Sequence, residues 1–240
     1  MPDGDGGGAA ADPFGRRDGR GPFVVLEGAD AVGKSTQAEL LAEWLDQRGV
    51  PYRSGREPGG TPLGEAIRTL VLQREDLAPS PEAELFLILA ARTAFVREEV
   101  QPVLEAGRLY LADRFDLSSL AYQGGGHGLE LERVRYMNEV AVRGCRPDVY
   151  VVLDVPGDEG EARQARAGTN LDRMESQGAD FLDRVRATYR DLAAAEPNAE
   201  LVDGRGDPRE VHRRILSVLA RRIGGVFAGG SGEPLPRETG

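Results

Sequence analysis

The sequence predicts an α/β fold, with five strands in a mostly parallel sheet and helices on both faces. Two features carry this expectation. Short β-rich runs alternate with stretches of helical apolar spacing, which is the pattern of a parallel sheet crossed over by helices. The first run ends in a glycine loop that leads directly into an amphipathic helix. Length and composition agree: 240 residues, 40% hydrophobic and 29% charged, suit a globular chain whose core is one large domain.

Residues 1–21 are glycine-rich, polar and without apolar periodicity, so they are expected to be a disordered tail. The folded domain is expected over 22–223. Pro22–Glu27 is a compact apolar run and the first strand. Thr36–Gly49 carries Leu40, Leu41, Trp44 and Leu45 at helical spacing, and Gly49 stops it. Tyr52–Arg56 is a short second strand. Ser80-Pro81-Glu82 starts a helix with an N-cap serine and a first-turn proline; it runs to about Ala106, with a kink at Pro102 and an end at Gly107. Leu109–Ala112 and Val149–Val155 are buried strands, with a helix over about Leu129–Arg143 between them. Gly178–Ala195 and Asp207–Ile223 are helical and flank a weak strand at Glu200–Val202. The stretch 224–240 has the character of a second disordered tail.

Charge and rare residues exclude several functions. With 30 basic and 40 acidic residues the net charge is −10, which argues against a nucleic acid polymer or an anionic membrane as partner. No apolar run approaches the roughly 20 residues of a membrane helix, and no signal-like apolar region occurs, so a cytoplasmic location is expected. One cysteine, Cys145, and two histidines, His127 and His212, leave no material for a disulfide or a cysteine- or histidine-built metal centre. Of the basic residues 29 are arginine and one is lysine, Lys34.

That lysine lies in Gly28-Ala29-Asp30-Ala31-Val32-Gly33-Lys34-Ser35-Thr36, which fits G-x-x-x-x-G-K-[ST], the phosphate-binding loop of ATP-using proteins. The glycines let backbone N–H groups curl around phosphate oxygens, and the following helix aims its positive end at the anion. Lys34 would neutralise the β and γ phosphates, and Ser35 would offer its hydroxyl to Mg²⁺. A guanidinium does not replace a compact ammonium in such a nest, which accounts for lysine here in an arginine-using chain. With no second lysine, the Asn-Lys-x-Asp guanine reader of GTPases is impossible. No Leu-Ser-Gly-Gly-Gln transporter signature occurs either. A small three-layer P-loop kinase, or such a fold without activity, remains.

Four segments make the reading more specific: Phe23–Thr36 (FVVLEGADAVGKST), Arg56–Glu65 (REPGGTPLGE), Asp113–Gly126 (DRFDLSSLAYQGGG) and Leu171–Glu175 (LDRME). Through them the core, about 22–222, resembles the bacterial thymidylate kinases, P-loop nucleoside monophosphate kinases that phosphorylate dTMP. The resemblance implies ATP and Mg²⁺, a nucleotide as second substrate and a homodimer built through helices beside the sheet. It implies that Asp30 accepts a hydrogen bond from the 3′-hydroxyl of dTMP, in keeping with a carboxylate that must point away from triphosphate. Arg68, Arg92 and Arg114 are candidate clamps for the acceptor phosphate, a dianion that needs several charged donors, or else ion-pair arginines. Asp113 either orients those arginines or holds a Mg²⁺-bound water, and belongs with Ser35 as a metal-site residue. Ser119, Tyr122 and Gln123 line the nucleoside pocket, with Tyr122 placed to exclude a 2′-hydroxyl. Residues 160–176 resemble the family's lid. Ala31 and Val32 supply no arginine in the loop, so Arg163 and Arg166 are the expected catalytic arginines, with Asp172, Arg173 and Glu175 organising the lid.

The chain departs from the family at three places. Ile88 stands where many members carry a phenylalanine against thymine, with Phe86 two residues further back. Phe115 follows Asp113-Arg114 in place of tyrosine. The lid is less arginine-dense and one residue longer. The expected reaction is ATP + dTMP → ADP + dTDP. A kinase for another, modified pyrimidine nucleotide and a non-catalytic nucleotide-binding protein are the alternatives.

Overall fold

The computed structural model describes residues 13–74, 76–167 and 172–229. A five-stranded sheet runs in the order β2-β3-β1-β4-β5. Its strands are β1 (Phe23–Glu27), β2 (Tyr52–Arg56), β3 (Leu109–Asp113), β4 (Val149–Asp154) and β5 (Ala199–Asp203), and every neighbouring pair is parallel. β1 and β4 are buried along almost their whole length, as uninterrupted Val and Leu runs require when helices cover both faces. β2 is the exposed edge. The strand order reverses at β1, which has β3 on one side and β4 on the other. A crevice therefore opens at the carboxyl end of β1, where the phosphate loop lies.

The helices are α1 (Lys34–Gln47), α2 (Pro62–Arg68), α3 (Pro81–Phe95), α4 (Gln101–Glu105), α5 (Asp116–Ser119), α6 (Leu131–Val142), α7 (Gly157–Ala167), α8 (Ala179–Ala195) and α9 (Pro208–Arg222). The α3 start is as expected: the Ser80 hydroxyl accepts from the Ala83 N–H at 3.3 Å, and Pro81 opens the first turn. The expected long helix to Ala106 is interrupted earlier than Pro102, by a π-helical turn over Val96–Val100. Pro102 has no N–H to return to the carbonyl four residues back, and the wider turn absorbs that gap. Two short helices, α2 and α5, carry too few apolar residues to show a period in sequence.

The tails differ from expectation in part. Phe14 is buried in the core, its neighbour Pro13 accepts from the Val226 N–H at 2.9 Å, and Arg16 pairs with Asp148 at 2.7 Å. Phe227 is buried and stacks on Trp44 with centroids 5.1 Å apart. The stretches 13–21 and 224–229 are thus anchored at Phe14 and Phe227, while most residues around these two aromatics are exposed. The remaining tail residues lie outside the described ones.

Candidate functional site: a two-ended cavity at the phosphate loop

One cavity of about 850 Å³ opens over the carboxyl ends of β1, β2 and β3. The loop from Gly28 to Gly33 forms its middle. Gly28 has φ 132° and Gly33 φ 100°, left-handed values that glycine adopts without penalty. Gly33 is the N-cap of α1, so the unpaired N–H groups of that helix face the cavity. Lys34 is buried, and its Nζ donates to the carbonyls of Gly28 at 3.1 Å and Ala29 at 2.6 Å. Burial and the nearby Arg114 charge bring its pKa down to about 8. The Ser35 hydroxyl donates to Asp113 Oδ2 at 3.1 Å, and Asp113 Oδ1 is buried with no partner among the described residues.

On one side of the loop Arg114 forms a dense polar cluster. Its Nη1 donates to the Gly28 carbonyl at 2.9 Å and to the Tyr189 hydroxyl at 3.1 Å. Its Nη2 donates to Asp30 and, at 3.1 Å, to the Tyr122 hydroxyl. Tyr122 donates in turn to Asp30 Oδ2 at 2.6 Å. Burial pushes the Asp30 carboxyl up, but the Arg114 and Lys34 charges and these hydrogen bonds outweigh it and hold it below its ordinary value. The Asp30 carboxylate is thus held by Arg114 and Tyr122.

Arg92 is 1% exposed and forms part of the cavity wall. Its Nε donates to Glu57 Oε2 at 2.7 Å, Nη1 to the Ser119 hydroxyl at 2.7 Å and to Asn138 Oδ1 at 2.5 Å, and Nη2 to the Phe115 carbonyl at 2.9 Å. Glu57 is the charge partner that an arginine on an apolar helix needs. Burial pushes its carboxyl up to about 7 against the pull of Arg92. Arg68 donates to the Pro58 carbonyl at 3.0 Å and faces the same cavity. Gln123 Nε2 donates to Glu84 at 2.8 Å, and its Oε1 is buried without a partner among the described residues. Ile88 faces the cavity, whereas Phe86 is 58% exposed and stands outside it.

The expected lid falls into two parts. Arg163 on α7 reaches the phosphate loop, with Nη1 donating to the Val32 carbonyl at 3.3 Å and Nη2 to the Gly204 carbonyl at 3.0 Å. Arg166 borders the cavity but is exposed, and among the described residues it donates to the Ala162 carbonyl of its own helix, at 3.1 Å. Asp172 accepts from the Met174 N–H at 2.8 Å. Arg173 is pinned against the wall: its Nε donates to the Val71 carbonyl at 2.7 Å, its backbone N–H to the Leu72 carbonyl at 3.1 Å, and Nη2 pairs with Glu84. Glu175 opens a short 3₁₀ turn, Glu175–Gln177, and its side chain lies outside the described ones, as does Leu171 between the two parts.

Residues 26–215 match the protein family described as Thymidylate kinase. A thymidylate kinase of Clavibacter sepedonicus is 45% identical over 211 residues, 88% of this chain and 98% of the relative. One of Pseudomonas savastanoi pv. phaseolicola is 45% identical over 204 residues, 85% and 97% of the two chains. One of Fervidobacterium nodosum is 40% identical over 197 residues, 82% and 98%. The chain belongs to the thymidylate kinase family.

Several groups in or behind the cavity wall escaped sequence reasoning. Glu57 and Glu84 are buried acids that partner Arg92 and Arg173, and Asn138 reaches Arg92 from α6. Glu57 had a signal, since it stands inside the quoted Arg-Glu-Pro-Gly-Gly-Thr segment. Gln164 on α7 borders the cavity with its Nε2 buried and without a partner among the described residues; one glutamine in a polar stretch gives no sequence signal. No helix among the described residues is long and apolar enough to cross a membrane.

Proposed function

We propose that this chain transfers the γ-phosphoryl group of ATP to dTMP, giving ADP and dTDP, with the two nucleotides meeting end to end over the phosphate loop. The observation that carries the reading is one cavity holding both a phosphate loop with a buried ammonium and, beside it, the Asp30–Arg114–Tyr122 cluster. ATP enters on the α1 side. The loop N–H groups and Lys34 grip its phosphates, Lys34 exchanging two carbonyl contacts for a charge-assisted pair. Arg163 closes on the phosphates from above, with Gln164 as a neutral donor next to it and Arg166 as an outer contact. Gly204, Gly206 and Pro208 border the cavity and would flank the base.

dTMP takes the other end. Arg114 and Arg68 hold its phosphate, Asp30 accepts from the 3′-hydroxyl, and Tyr122 crowds the position of a 2′-hydroxyl. Arg92, Ser119, Gln123 and Ile88 form the base end, and the free Oε1 of Gln123 is an acceptor for an imide N–H. The attacking oxygen of dTMP is already anionic, so no general base is needed, and the phosphoryl group passes directly between the aligned oxygens.

Ser35 and Asp113 fit a magnesium site. Their oxygens stand 3.1 Å apart and Asp113 offers a second, unpartnered oxygen, while no cluster of three or more metal-binding side chains occurs among the described residues. A small protein contribution suits Mg²⁺, which keeps water and takes phosphate oxygens as ligands. When bound it would neutralise charge on the phosphates of ATP.

A coupled assay with dTMP, dUMP, dCMP and UMP tests the reading. A clear preference for dTMP is expected, and equal use of the four would defeat it. The second reading, a kinase for a modified pyrimidine nucleotide, draws on Ile88 facing the cavity while Phe86 stands exposed outside it. The chain would work in the cytoplasm as a homodimer through α3 and α6, where Phe86, Tyr136 and Val140 leave 58%, 71% and 63% of their surface exposed. Light scattering at monomer mass would remove the dimer.

A further inference from the structure

Glu27 closes β1 and is fully buried. It precedes the phosphate-loop motif, and the mechanism above does not use it. An ionisable group so placed is costly unless every acceptor site is occupied. Here four donors surround it. Its Oε1 accepts from the backbone N–H of Phe115 at 2.8 Å and of Ser118 at 3.2 Å. Its Oε2 accepts from the hydroxyls of Ser118 at 2.7 Å and Tyr189 at 2.9 Å.

These partners converge on one neighbour. Phe115, the N-cap of α5, follows Arg114 directly and Ser118 lies in α5, and Arg114 has φ +74°, a left-handed value uncommon for a residue with a side chain. Such a conformation persists where its surroundings over-determine it, and it marks functional positions. Tyr189, on α8 beyond the lid, donates to Glu27 and accepts from Arg114 Nη1 at 3.1 Å. One carboxylate thus holds the backbone after Arg114, and through a buried phenol it also holds one nitrogen of the guanidinium.

We infer that Glu27 and Tyr189 are positioning residues that set Arg114 for the acceptor phosphate. Neither touches substrate. Their effect is to hold the guanidinium beside Asp30 before dTMP arrives, so that binding does not have to order it. The inference rests on Arg114 gripping that phosphate, and the experiment separates the two.

The measurement is steady-state kinetics of the full chain with dTMP and ATP varied in turn. Tyr189→Phe removes one hydroxyl and keeps the ring, which packs edge-on to Tyr122 at 6.3 Å. It is expected to raise KM for dTMP about tenfold and to leave KM for ATP within about twofold. Glu27→Gln keeps the shape, loses the charge and shifts the same constant further. In an Arg114→Ala background, Tyr189→Phe has nothing left to position and adds no further rise. A merely structural pair would lower thermal stability and amount of active enzyme without this selective, Arg114-dependent effect. If Arg114→Ala raises KM for dTMP while Tyr189→Phe leaves it unchanged, the inference falls and the clamp stands. If Arg114→Ala itself leaves that KM unchanged, both fall.

Discussion

At the end of the cavity proposed for ATP, residues 28–36 supply almost every group from one stretch of chain, and backbone N–H groups and one ammonium would do the binding. At the dTMP end, Asp30, Glu57, Arg92, Arg114, Tyr122, Asn138 and Tyr189 come from separate elements. They touch one another in two sets of hydrogen bonds, one around Arg92 and one around Arg114. A backbone nest is stable before its ligand arrives, because glycine geometry and the helix end create it. A side-chain clamp of like charges would repel itself, and two of its arginines carry an acid: Arg92 has the buried Glu57 and Arg114 the half-buried Asp30. Damage at the first end should therefore cost rate alone, and damage at the second should cost stability as well.

The largest expected effect tests the first half. Lys34→Ala should lower kcat about 10³-fold, as loss of a preorganised transition-state donor does, with little change in melting temperature. A melting temperature that fell together with activity would show the ATP end to be no more independent than the other. Next comes Arg92→Met, which strands the Glu57 carboxyl in a buried site. It should cost about 3 kcal/mol of stability, seen in denaturant or thermal unfolding, and an unchanged unfolding midpoint would break the contrast. The smallest effect concerns pH. In the empty enzyme Lys34 is charged below about 8 and loses its proton above it. ATP binds the charged form and must restore that proton, so its Kd should be flat on this account up to about 8 and rise by up to about tenfold per pH unit above it. A flat titration between about pH 7.5 and 9.5 would show that Lys34 keeps its charge despite its burial.

Much of this was legible in the chain. The five strands are found within a residue or two of their expected places; for β1, β3 and β4 the reason is a continuous apolar run that admits few other readings. The α3 start was legible from Ser80 and Pro81, whose effect is local. Arg163 and Arg166 were both expected in the lid; Arg163 donates to the Val32 carbonyl of the phosphate loop, while Arg166, three residues on, is an exposed side chain at the cavity border. That difference depends on how α7 packs against α8, and spacing alone does not set it. The packed parts of the tails were illegible for the same kind of reason. Phe14 and Phe227 are single aromatics in glycine-rich stretches, and only the surface formed by α1 and α9 makes burying them worthwhile.

Order along the chain by itself determined the strand–loop–helix that makes an anion site, since strand, glycine turn and helix end are consequences of neighbouring residues. Tertiary structure alone decided which acid answers which arginine, because a buried charge selects its partner by proximity in space. Glu27 and Tyr189 are 162 positions apart, and only the packing of α8 against the sheet brings them to one guanidinium.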